Sequence, residues 1–125
     1  MRFWIFIGVM ALSLTTVGPT SSTTPPYTAI VINSGSPYFV PKLATVSSGE
    51  PIRWENPTPT EHTITHMGCL EDGQTCAFDS GIVLPNDTFT IPGLAPGQYP
   101  YICRVHPIMR GTITVTDTAT FPSQL

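Results

Sequence analysis

Tyr99-Pro-Tyr-Ile-Cys-Arg-Val-His-Pro-Ile-Met-Arg-Gly-Thr-Ile-Thr-Val115 carries a thiol, an imidazole and a thioether, Cys103, His106 and Met109, within seven residues. Ahead of them Tyr99, Tyr101 and Cys103 take alternate positions, the spacing of one face of a strand. Behind them Ile113 and Val115 alternate with Thr112 and Thr114, which predicts a second strand with an apolar and a polar face. The three donors therefore fall in a short loop at the end of a sheet. Pro107 stiffens that loop, and Gly111 is expected to supply the freedom to re-enter a strand.

A soft thiolate, a neutral imidazole and a weak thioether suit copper cycling between two oxidation states. One Cys and two His in a trigonal set, with a distant axial Met, is the blue-copper arrangement. The loop lacks one His. Upstream, Glu61-His-Thr-Ile-Thr-His66 offers two and reads as a β-branched, alternating strand. His62 opens that strand after the turn-like Asn56-Pro-Thr-Pro-Thr60, so it is the expected fourth ligand. His66 lies on the same face, but a straight strand puts it ~13 Å away, too far to share an ion. It is expected to meet solvent or a hydrogen bond, and Met67 to pack. Taken singly, each donor reads as an ordinary packed or hydrogen-bonded side chain; it is their convergence that argues for a metal. Zinc would favour more Cys or His and has no use for Met.

These residues resemble the cupredoxins, the small blue copper proteins, and the Cys-x2-His-x2-Met spacing is similar to the short ligand loop of amicyanins rather than the longer one of plastocyanins. The resemblance runs back through Trp54-Glu55-Asn56, Thr45 to Glu50, Asp79-Ser80-Gly81 and Pro96 to Tyr99. It implies an all-β, Greek-key β-sandwich and one copper ion held by His62, Cys103, His106 and Met109. It also implies a Thr63 amide hydrogen-bonded to the Cys103 sulfur, and the His106 ring edge as the electron port. Pro107, Ile108 and Pro57 would form an apolar rim around that port. The implied role is a non-enzymatic, monomeric shuttle of single electrons between transient redox protein partners.

Composition agrees with many short strands. Of 125 residues, 14 are Pro and 10 Gly, which leaves little room for long helices. The net charge is −3, and one Lys with four scattered Arg makes no patch for nucleic acid. Met1-Arg2 followed by the apolar run Phe3 to Leu14 predicts a signal peptide within residues 1–22, with an uncleaved membrane anchor as the alternative. Either way the domain is exported, to a periplasmic or extracellular location. Residues 23–26 are expected to be a tether, 27–117 the domain and 118–125 a loose tail.

Within the domain, strands are expected over Tyr27–Ile32, Ile52–Glu55, Gly81–Leu84 and Thr88–Ile91, with Phe39 to Val46 leading into one further strand and with Ile52 and Trp54 in the core. Cys69 and Cys76 bracket a polar loop; in an exported chain they are expected to pair, the alternative being two free thiols. Asn86-Asp87-Thr88 is formally a glycosylation sequon. Three histidines cannot build a trinuclear copper cluster, and no phosphate loop, triad or paired-carboxylate signature is present. The rival to electron transfer is a copper-delivery or storage protein, whose usual mark, a Met-rich or Cys-pair motif, is missing.

Overall fold

Residues 8, 10–20 and 26–117 are described by the structure, a computed structural model. Eight strands lie between Thr28 and Thr116. They are Thr28–Ile32 (β1), Phe39–Val40 (β2), Leu43–Ser47 (β3), Ile52–Glu55 (β4), Thr65–His66 (β5), Thr88–Ile91 (β6), Gly97–Ile102 (β7) and Arg110–Thr116 (β8). A single 3-10 turn, Met67–Leu70, follows β5. The expected tail 118–125, and residues 1–7, 9 and 21–25 of the expected leader and tether, lie outside the described residues. No described helix is long and apolar enough to cross a membrane.

The strands form two four-stranded sheets, ordered β2-β1-β4-β6 and β3-β8-β7-β5. β1 pairs β4 in parallel and β3 pairs β8 in parallel, while the remaining pairs are antiparallel. Most chain neighbours thus sit in opposite sheets and return to pair with distant strands, an all-β Greek-key sandwich. Alternation decides what faces inward. Ile30 and Ile32 of β1, Ile52 and Trp54 of β4, and Ile113 and Val115 of β8 are buried, while Val31 and the Thr side chains of β8 look outward. Trp54 sits at the centre, with Phe78, Phe89 and Tyr101 around it at ring-centroid distances of 5.5, 5.8 and 5.6 Å.

Three expected features differ. Phe39–Val46 is not one strand: it breaks at Pro41, which has no amide hydrogen for a ladder, and the chain passes from one sheet (β2) to the other (β3). Gly81–Leu84 is not a strand either; only Val83 makes a bridge, to His62. Gly111 lies inside β8 opposite Tyr101, and its role is close approach rather than conformational freedom. A Cβ there would stand 2.5 Å from both Cζ and the hydroxyl of Tyr101. That ring is 1% exposed and wedged against Phe39, Trp54 and Phe78. Burial pushes the Tyr101 phenol above its ordinary pKa, with the nearby Trp54 indole opposing weakly, so it stays neutral. Neither the phenol hydroxyl nor the indole N–H makes a hydrogen bond of good geometry among the described residues.

β4 and β7 both run toward one end of the sandwich, where β4 delivers Asn56 and β7 delivers Cys103. The other end is closed by backbone bonds: Thr28 N–H to Pro51 O at 2.9 Å, Ser48 N–H to Thr116 O at 2.7 Å and Gly49 N–H to Leu94 O at 3.3 Å.

Candidate metal centre

The Cys103 amide still bonds in register with β8, donating to Met109 O at 3.0 Å, but β7 ends at Ile102 because the return bond is lost: Met109 N–H donates to His106 O at 2.8 Å instead of to Cys103 O. Two backbone bonds therefore close residues 103–109 into a small ring. Cys103 and Met109 turn inward, at 0% and 2% exposure, while His106 is half-buried and Ile108 is 73% exposed.

The second contributing segment is irregular. His62, Thr63, Ile64 and Thr65 are all buried, a run of four that strand alternation cannot produce. The backbone bonds explain it. His62 exchanges both bonds with Val83, N–H to O at 3.1 Å and O from N–H at 2.7 Å. Thr63 N–H donates to Cys103 Sγ at 3.3 Å, and Ile64 N–H to Ser80 Oγ at 2.8 Å. Regular pairing with β7 begins only at Thr65. The expected single strand over 61–66 is thus broken where two side chains take the amides a neighbouring strand would have used.

The result brings His62, Cys103 and His106 together, one donor atom from each within 4.8 Å of the others. Cys103 Sγ lies 3.8 Å from Nδ1 of His62 and 3.8 Å from Nδ1 of His106, and the two rings stand 5.0 Å apart, tilted by 51°. Each 3.8 Å separation is short enough for a single ion to be held by the sulfur and both nitrogens together. Burial, and secondarily the neighbouring His106, hold His62 below its ordinary pKa, so it presents a neutral imidazole. Met109 lines the same cavity as His62 and His106. Thiolate, two imidazoles and a thioether, nearly sealed from water, fit one copper ion of the type 1 kind.

A directional chain of hydrogen bonds ties the two segments. Asp79 can only accept, so Thr65 donates to its Oδ1 at 3.0 Å. Thr63 in turn donates to Thr65 Oγ1 at 3.1 Å, and Thr63 Oγ1 accepts the Arg104 amide at 2.8 Å. Arg104 Nη1 also approaches Asp79 Oδ2 at 3.7 Å. Thr63 is therefore fixed by both its ends, and its amide is held on the sulfur.

Outside the ligands, a depression of about 470 Å³ exposes the His106 side of the site, with Tyr38, Pro59, Thr60 and Ile108 around it. Pro59 lines it rather than Pro57, which faces a different hollow beside Arg53 and Asn86. His66 stands apart from the cluster. Its Nδ1 accepts the Ala77 amide at 3.1 Å, and its ring lies 5.4 Å from Phe78 and 5.6 Å from Tyr99. Cys69 and Cys76 are joined in a disulfide, which leaves Cys103 as the free, buried thiol. Sequence reading treated Asn56 to Thr60 as a plain turn and missed that Thr58 and Thr60 both reach His62 Nε2, at 2.9 and 3.0 Å. Two Thr within four residues of a ligand His was the available signal.

No family model matches this chain. Amicyanin-alpha of Methylorubrum extorquens is 27% identical over 70 residues, 56% of this chain; the match spans only 57% of that relative. Among solved structures, a reduced tryptophan-to-tyrosine mutant of amicyanin superposes with a TM-score of 0.63 at 17% identity, covering 76% of this chain and 87% of that one. A purple cupredoxin from Nitrosopumilus maritimus gives 0.60 at 22% identity, covering 71% of this chain and 99% of that one. The shared fold is that of the cupredoxins.

Proposed function

We propose that this chain, an amicyanin-like cupredoxin, is an exported carrier of single electrons, with His62, Cys103, His106 and Met109 holding one copper ion. The observation that carries the reading is the placement of a fully buried Cys103 Sγ 3.8 Å from two imidazole nitrogens. Copper bound there would supply the redox couple, Cu(II) to Cu(I).

The chain's own residues would keep that change cheap. Three of the four donors are at most 2% exposed, so little water must reorient when charge arrives. The backbone ring over 103–109 and the Thr63–Thr65–Asp79 chain hold the donors in one arrangement. Thr63 N–H, aimed at the sulfur at 3.3 Å, withdraws charge from a thiolate and so favours the reduced state. His106 is the one donor of the four that reaches the surface, which makes its ring edge the exit for the electron. Around it Tyr38, Pro59, Pro107 and Ile108 give an apolar rim for a redox protein that docks briefly and leaves. In this reading the chain is monomeric and non-catalytic, 27–117 is its domain, and residues 1–22 export or anchor it.

The test is to add Cu(II) to the purified metal-free chain and record its visible spectrum and voltammogram. An intense blue thiolate-to-copper band, absent in Cys103→Ser, with a reversible wave is the expected result. Tight Cu(I) binding with no wave would instead indicate delivery or storage.

A further inference from the structure

Asn56 is 1% exposed, and its side chain contributes to no part of the centre directly. Its Nδ2 faces three backbone carbonyls, Thr60 O at 2.9 Å, Val83 O at 3.1 Å and Leu84 O at 3.1 Å. Carbonyls only accept, so the amide cannot be turned the other way. Its Oδ1 therefore faces Thr58, taking the backbone N–H at 3.1 Å and approaching the hydroxyl at 2.6 Å.

An amide oxygen holds no proton, so the 2.6 Å contact is made by the single Thr58 hydroxyl hydrogen; the Thr60 carbonyl, at 3.1 Å, is a longer second acceptor, and both draw that hydrogen away from His62. Only lone pairs remain on Thr58 Oγ1, and they face His62 Nε2 at 2.9 Å. A bare Nε2 would set lone pair against lone pair with Thr58 at 2.9 Å, its one donor being the exposed Thr60 hydroxyl, whereas a protonated Nε2 is accepted by both oxygens. Nε2 must carry the hydrogen. Thr60, which is exposed, can turn its own hydroxyl hydrogen to solvent and offers a second acceptor at 3.0 Å. The opposite ring nitrogen, Nδ1, is then unprotonated and faces Cys103 Sγ. Val83 O receives both the Asn56 amide and the His62 backbone N–H, so ring and backbone are referred to one fixed point.

We propose that Asn56, acting through Thr58, is a positioning pair that sets the tautomer and orientation of His62, so that its inward nitrogen is bare before any ion arrives. The inference rests on His62 being a ligand, but its central claim concerns the metal-free protein and can be read there. It gives the turn Asn56 to Thr60 a purpose beyond connecting strands. Without it, part of the population would hold the wrong tautomer or a flipped ring, and binding would first have to correct this.

The experiment is long-range 15N–1H NMR of the histidine rings in the metal-free full chain, with Zn(II) affinity measured by chelator competition. The expected wild-type result is His62 protonated on Nε2 alone, unchanged in Thr58→Ser. Thr58→Val should give mixed tautomers and bind Zn(II) roughly 10- to 100-fold more weakly, the usual loss when a partner behind a ligating histidine is removed. Protonation on Nδ1 or an even mixture in the wild type overturns the proposal without recourse to any variant. So does a Thr58→Val protein with wild-type tautomer and affinity. Should the tautomer be as stated while Cu(II) gives no blue band, the electron-carrier reading fails and this inference stands.

Discussion

Gly111→Ala is a one-carbon change whose cost can be worked out from its surroundings. In an unobstructed strand the substitution would stabilise by about 0.5–1 kcal/mol, through the lost freedom of the unfolded chain. Here the new Cβ meets Tyr101 Cζ and its hydroxyl at 2.5 Å and Cε1 at 2.9 Å. Nothing in contact with an aliphatic carbon tolerates such separations, so one partner must move. The Tyr101 ring tip is the movable end, but Phe39 at 4.8 Å and Trp54 at 5.6 Å block its retreat. Overpacking of a tight core costs about 1–3 kcal/mol, and this site belongs at the upper end. The net loss is about 2 kcal/mol, which for a domain of this size lowers Tm by roughly 8–16 °C. Thermal unfolding of the metal-free protein, followed by near-ultraviolet circular dichroism, measures it. Tyr101→Phe removes one of the two shortest contacts, so the double variant should recover part of the loss. Gly35→Ala, where nothing lies within 4 Å, is the control and should be neutral or stabilising. A Gly111→Ala protein that melts at or above the wild-type temperature would refute the packing explanation.

His66→Ala should keep the blue band, and His62→Ala should lose it, while His66→Ala still costs about 1–2 kcal/mol through the orphaned Ala77 amide. The reverse outcome in the visible spectrum would reassign the ligand. Burial holds His66 below its ordinary pKa of 6.5, against the opposing pull of the Thr75 carbonyl and Glu71. As pH falls below 6.5 the unfolded chain therefore takes up protons that the folded one resists, and stability is lost. Melting of the metal-free protein between about pH 7 and pH 5 should decline, and less steeply in His66→Ala. Replacing Cys69 and Cys76 by Ala opens a loop of about eight residues and should cost about 2.5 kcal/mol by urea titration, without altering the blue band.

What the sequence revealed of this molecule depended on periodicity and on side-chain chemistry. Ile52 and Trp54, or Ile113 and Val115, announce a buried face because alternation is a local property. Cys103, His106 and Met109 announce a site because three donor types converge in one short loop. Breaks in pairing were not legible, since they are decided by distant partners. The amide of Thr63 leaves the ladder for a sulfur 40 residues away, and that of Ile64 for a serine hydroxyl 16 residues away. Gly111 read as a hinge because the ring above it comes from the preceding strand. Asn56 read as a turn residue because its partners, Val83 and Leu84, lie 27 and 28 positions along the chain.

The bonds at the far end of the sandwich also fix where the chain enters and leaves. Thr28 is held to Pro51 and Thr116 to Ser48, so both termini of the folded unit emerge at the pole opposite the donors. Whatever precedes residue 27 therefore attaches behind the molecule. A domain leashed to a surface by that segment would present His106 and Ile108 outward, like a lamp on a stalk, free to sweep for partners without releasing its mooring.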